Sequence, residues 1–252
     1  MISSYYQIEY FIHPLGLVIF LIVLLINPLQ KFHYSSRTWL MNVLWKIVTA
    51  PFYPVQFAHF WLADQLTSFD FLFSDIEFFV CWYLFQTQWA PFKGYFAESP
   101  CSPRSYRDLS HIFNIIALIL ACLPSWFRFL QCLRRYRDTL NAFPHLANAV
   151  KYSTTFFDIG TLFLKYQFSH MYESDWENPF FYLWLIVKFL GTCYKLFWDF
   201  KMDWGFFDKN AGENRFLREV IVYSSKVKKF NTTSIKLIIF KHYLIRAIIT
   251  WL

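Results

Sequence analysis

From 11 to 29 the chain reads FIHPLGLVIFLIVLLINPL, without one Asp, Glu, Lys or Arg. A helix of that length rises far enough to enter or cross a hydrocarbon core about 30 Å thick. In such a solvent the backbone must satisfy its own hydrogen bonds, which restricts it to helices or a closed barrel. Further apolar stretches lie at 59–85, 111–133, 145–168 and 179–200, with a basic-flanked amphipathic stretch at 36–52 and a last apolar run at 234–252. They are too long and too unbroken for barrel strands. The fold expected is all-α, a polytopic transmembrane bundle of about six membrane-associated helices.

Composition agrees. Hydrophobic residues make up 56% and aromatic residues 23% of the chain, and charged residues only 16%. Soluble domains carry about 25% charge. The run at 11–29 does not read as a cleaved signal, because MISSYYQIEY before it has no Lys or Arg, carries Glu9, and no small-x-small site follows. The net charge of +7 sits at the edges of apolar runs rather than on one soluble face. That pattern fits a lipid bilayer as partner and excludes nucleic acid. Segments 31–46, 134–143 and 201–229 are basic, whereas 169–179 (SHMYESDWENP) is acidic. Alternating helices then place the basic segments in the cytoplasm and 169–179 outside.

No covalent chemistry is encoded in a recognisable form. There is no Gly-rich phosphate loop, HExxH or GxSxG, so no enzyme activity, metal or cofactor is expected. The calcium-loop-like DKNAGENRFLRE at 208–219 has Glu213 where the loop needs Gly. Asn231 heads a glycosylation sequon, on the side the charges assign to the cytoplasm. Five cysteines, an odd number without a CxxC, argue against a disulfide framework or zinc site.

Ionisable residues inside apolar helices are costly and by default face a cavity or one another. Lys151 leads a row of hydroxyls, Tyr152, Ser153, Thr154 and Thr155, a pattern suited to an anion or water-filled site. Asp64, Thr67 and Ser68 fall on one helical face, and so do Asp199 and Asp203. Carboxylates alone repel an anion, so these would hold Arg or Lys in place. Arg128 and Arg135 share a face at i, i+7, with Arg134 and Arg137 nearby. Arg137 reads as a topology signal, whereas Arg128, several residues inside its run, reads as a pathway residue or the partner of a carboxylate. Pro124 is expected to kink its helix.

Two long stretches, FRFLQCLRRYRDTLNAFPHLANAVKYSTTFF and WDFKMDWGFFDKNAGENRFLREVIVY, resemble the EXS domain of the xenotropic and polytropic retrovirus receptor and phosphate exporter family. LLINPLQKFHYSSRTWL, TAPF and FAHFWLADQLTS resemble its earlier part, so the likeness runs from about Leu21 to Tyr223. The resemblance implies inorganic phosphate export between membrane helices, at the plasma membrane or Golgi, by a protein that can form a homodimer. Relatives of the Golgi type, also without the inositol-pyrophosphate-sensing SPX domain, imply a role in trafficking and retention instead. By motif it assigns Asp64, Thr67 (usually Asn), Lys151, Tyr152 and Asp199 to the phosphate path, with Arg128, Arg135, Asp203 and Arg246 as further pathway or ion-pair candidates. On this reading residues 1–223 are an EXS-like domain without the family's first spans. Residues 224–252 are a divergent apolar helix lacking the family's Arg-x-x-Trp and paired arginines, for which Arg246 is a poor substitute in spacing.

Overall fold

The structure is a computed structural model that describes residues 12–85, 91, 109–203, 205 and 206. All regular structure among them is helical. The chain divides into two compact units, Met1–Phe163 and Leu164–Leu252. The run at 234–252 and Arg246 lie outside the described residues.

In the first unit, α1 covers Ile12–Ile26 and α2 covers Tyr34–Val48. The 15 described residues of α1 rise about 22 Å. Asn27, which precedes Pro28, ends it. None of its residues is buried, and Phe20, Leu21 and Val23 are exposed, as expected of a helix solvated by lipid. The turn into α2 passes through Phe32 and His33, both at positive φ.

Arg37 holds that turn. Its guanidinium donates to the carbonyls of Leu24 (2.6 Å), Asn27 (2.8 Å), Leu29 (3.0 Å), Lys31 (2.8 Å) and Phe32 (2.9 Å). The first of these is an α1 carbonyl near the C-terminus, where helical partners run out. One planar fork thus supplies the donors that the carbonyls of a whole turn lack, which a lysine ammonium with three donors cannot. Arg37→Ala is expected to destabilise the α1–α2 turn by about 2 kcal/mol, with Arg37→Lys intermediate. Limited proteolysis at residues 27–33 of the purified protein measures this.

Pro51 stops α2, and a short 3₁₀ turn, Ala50–Phe52, follows. The stretch at 59–85, expected as one apolar segment, is two helices, α3 (Phe57–Leu66) and α4 (Asp70–Phe85). Between them Thr67–Phe69 tightens to 3₁₀ geometry. The Thr67 hydroxyl donates to the Asp64 carbonyl at 2.6 Å, the local competition by which Thr interrupts a helical ladder. Val43, Ile47 and Ala63 join α2 to α3 in a small core, with Leu62 and Phe127 against it.

The longest helix is α5, Leu109–Thr139, 31 residues and about 46 Å. It runs past the buried Pro124 without a break in helix assignment, where an interruption would be the strongest form of the expected kink. The basic segment that begins at Arg134 starts inside α5, with Arg134, Arg135 and Arg137 in its last two turns. Arg134 Nε donates to both Asp138 carboxylate oxygens at 2.9 and 3.0 Å, an i, i+4 pair that prolongs the helix, and positive charge suits a helix C-terminus. A short turn that includes Leu140, at φ 57°, leads to α6, Ala142–Gln167, in which Phe143 is extended (φ −99°, ψ 132°) and the helix is kinked. Cys132, Ala149 and Tyr152 form the core between α5 and α6.

The second unit holds the end of α6, 3₁₀ turns at Ser169–Met171 and Asp175–Glu177, and α7, Pro179–Trp198. Asn178 caps α7. Its amide oxygen accepts from Phe180 N at 2.9 Å and its Nδ2 donates to the Lys165 carbonyl at 3.1 Å, tying the helix start to the end of α6. A π-helical turn, Asp199–Asp203, follows α7. Ile115–Thr139 and Pro179–Asp203 are each 25 residues long and apolar enough to cross a membrane. Cys81 is disulfide-bonded, against the expectation from the odd cysteine count, which cannot exclude a single bridge. Cys122, Cys132 and Cys193 are free thiols.

Candidate functional site

Three helices of the first unit converge on one guanidinium. Arg128 of α5 is 2% exposed. Its Nε donates to Asp64 Oδ1 on α3 at 3.2 Å and to the Tyr152 hydroxyl on α6 at 3.1 Å. The Tyr152 hydroxyl in turn donates to Asp64 Oδ1 at 2.6 Å, closing a triangle among three side chains. Arg128 Nη1 donates to Gln131 Oε1 at 2.7 Å, and Gln131 Nε2 donates to the His59 carbonyl at 3.1 Å. The plane of the guanidinium has aromatic neighbours too, with the Phe60 ring 4.4 Å and the Tyr152 ring 5.0 Å from Cζ.

Helix geometry explains why these residues meet. Gln131 is one turn beyond Arg128, so its amide carries the chain of bonds onward to α3. Phe60 is one turn before Asp64, which puts the ring and the carboxylate on the same side of α3. A buried guanidinium is tolerated only with a counter-charge and filled donors. Asp64 supplies the counter-charge, and Asp64, Tyr152 and Gln131 accept from part of the donors.

The triangle leaves chemical capacity unused. Among the described residues Nη2 of Arg128 makes no hydrogen bond. The Asp64 side chain is 40% exposed, so the surface is open beside the buried cation's carboxylate. Lys151, half-buried, places its Nζ 5.5 Å from the centroid of the same Tyr152 ring. Two cations flank one phenol, and their donors are of the kind that match oxyanions.

The structure thus brings Asp64, Tyr152 and Arg128 into direct contact and sets Lys151 beside them. Thr67 caps α3, and its hydroxyl proton is spent on the Asp64 carbonyl. Of the four hydroxyls after Lys151, those of Ser153 and Thr154 turn onto their own helix. Ser153 donates to the Val150 carbonyl at 2.8 Å and Thr154 to the Lys151 carbonyl at 2.7 Å, while Thr155 accepts from Ser125 at 3.2 Å. Arg135 is exposed, and no hydrogen bond joins it to the triangle. In the second unit Asp199, half-buried, opens the π-helical turn and the exposed Asp203 closes it. Sequence reasoning passed over Gln131, Phe60 and the role of Arg134, whose Nη1 donates to the Pro51 carbonyl at 3.0 Å. The i, i+3 spacing of Arg128 and Gln131 was the signal available for the first.

The EXS family model matches residues 1–249. Solute carrier family 53 member 1 of Mus musculus is 48% identical over 220 residues, covering 87% of this chain and 31% of the relative. The human protein of the same name is 47% identical over 216 residues, 86% of this chain and 30% of that one. A Xenopus laevis relative, xenotropic and polytropic retrovirus receptor 1 homolog, is 47% identical over 222 residues, 87% of this chain and 31% of its own. The chain therefore spans about a third of the length of these curated relatives.

Proposed function

The chain belongs to the EXS family of membrane proteins, and from that premise we propose that it conducts inorganic phosphate out of the cytoplasm along a path that includes the Asp64–Tyr152–Arg128 triangle and Lys151. One observation carries the reading. Among the described residues a guanidinium almost wholly buried keeps Nη2 without a hydrogen bond, beside a carboxylate that is 40% exposed.

Phosphate reaching this point meets a planar pair of donors on Arg128 and a point charge on Lys151. Asp64 repels the ion, and this has a use. It neutralises Arg128 in the empty site and limits how tightly an anion is held, so that release stays fast. The Tyr152 hydroxyl keeps the carboxylate turned to Nε rather than into the path. No bond of the ion is made or broken. Loss of hydration is offset by charge-assisted hydrogen bonds. The names of the relatives, solute carriers, support transport rather than catalysis. Asp199 belongs to this proposal through motif likeness alone, as do a homodimeric assembly and residence in the plasma membrane or Golgi.

Phosphate efflux from loaded proteoliposomes tests the proposal. Lys151→Ala is expected to lower the efflux rate about tenfold, the loss of one charge-assisted contact, while Lys151→Arg retains most of it. Equal rates for the wild type and Lys151→Ala would remove Lys151 from the path.

A further inference from the structure

Lys165, in the last turn of α6, is one of few charged side chains that the fold encloses. Its side chain is 11% exposed. The rings of Tyr166, Phe181 and Trp184 stand 5.6, 5.0 and 5.3 Å from its Nζ. The remaining side is taken by Asp175 Oδ2 at 2.8 Å, and that carboxylate is 55% exposed. A second ammonium, Lys188 one turn along α7, lies 4.8 Å from the centroid of the same Trp184 ring. The indole N–H of Trp184 is buried with no acceptor among the described residues.

These features are unequal in a telling way. The cation is buried and held by three aromatic faces, which attract cations and offer nothing to an anion. The anion is exposed, on a short 3₁₀ turn. Two ammonium groups share one indole, and a single carboxylate answers them. A buried N–H donor with no acceptor among the described residues accompanies them. The exchangeable member of the pair is the carboxylate, because exposed ion pairs hold weakly.

We propose that Lys165, Lys188 and Trp184 form a second oxyanion site, for hydrogen phosphate or an ion of its class, and that the Asp175 carboxylate occupies it when no ion is bound. The proposal rests on the phosphate reading above for the identity of the ion. It adds a site that the Arg128 triangle does not include, and it gives Asp175 the part of a built-in competitor.

The test uses the full chain in lipid nanodiscs, with equilibrium binding of radiolabelled orthophosphate as readout. Removing the competitor should tighten binding: Asp175→Asn is expected to lower the apparent Kd about threefold, the scale of one exposed ion pair. Adding Lys165→Gln or Lys188→Gln to Asp175→Asn should abolish that gain, and Lys165→Arg should preserve it. If Asp175→Asn binds no tighter than the wild type, or if the gain survives Lys165→Gln, the proposal is overturned. A purely structural Lys165–Asp175 bridge predicts weaker or unchanged binding in Asp175→Asn, so a gain separates the two. Lys188→Gln, at a half-buried position, serves should Lys165→Gln fail to fold. Binding is read without transport, so a failed Lys151→Ala efflux test and a failed Asp175→Asn binding test are distinguishable.

Discussion

Asp64→Asn is expected to lower the thermal midpoint of the purified protein by about 5–10 °C, and added phosphate should restore more of that loss than it adds to the wild type. The asparagine oxygen still accepts from Tyr152 and Arg128, so the hydrogen bonds survive in neutral form. The charge balance does not. Arg128 is left 2% exposed with no counter-ion, the situation that makes breaking a buried pair cost about 3–5 kcal/mol. The retained amide contacts reduce this to about 2–3 kcal/mol, which in a protein of this size moves the midpoint by the stated amount. An anion that enters the site supplies the missing charge and stabilises the variant by mass action. If phosphate shifts wild type and variant equally, the ion does not reach Arg128.

The second large effect separates folding from transport. Arg128→Met is expected to reduce phosphate efflux at least about a hundredfold while costing only about 1–2 kcal/mol of stability. Methionine fills much of the volume against Phe60, and Asp64, being 40% exposed, regains water once its partner is gone. The residual cost falls on Gln131, 1% exposed, whose oxygen loses its donor. Transport has no such remedy, because the planar donor pair and its charge are both removed, worth about 3 kcal/mol or more. The double variant Asp64→Asn, Arg128→Met should melt higher than Asp64→Asn alone, a non-additivity expected of two residues that neutralise each other. Additive melting temperatures would mean that the pair contributes nothing as a pair.

Much of this was legible before any coordinates, for a physical reason. In an apolar helix a charge has few affordable environments, so Asp64, Arg128 and Lys151 stood out by being there at all. That Arg128 has a carboxylate partner was one of two readings open for it, and Asp64 proves to be that partner. Within the hydroxyl row after Lys151, Ser153 and Thr154 misled, because Ser and Thr in helices readily bond the preceding turn, and sequence does not reveal which way they face. Charge density was no guide to the end of α5. Arg134, Arg135 and Arg137 read as a basic segment after the apolar run at 111–133, yet they lie in the last two turns of the helix, which Asp138 one turn after Arg134 prolongs. The aromatic enclosure of Lys165 was hidden because Tyr166, Phe181 and Trp184 come from two helices, and 23% aromatic content leaves no single ring conspicuous.

Within the first unit, α5 is fastened at two levels. Through Gln131 it meets the His59 carbonyl of α3, and through Arg134 it meets the Pro51 carbonyl before α3 begins. Both partners are main-chain atoms, which cannot swing aside as side chains do. The helix therefore behaves as a keyed shaft. Turning it by one residue, about 100°, would pull both keys from their slots together. It can bend or slide slightly, but it cannot spin. Arg128 lies between buried neighbours on that shaft, so its azimuth is set by backbone, whatever the proposed path carries. Any opening of the path then belongs to Asp64 and the residues around it, while the cation stays still.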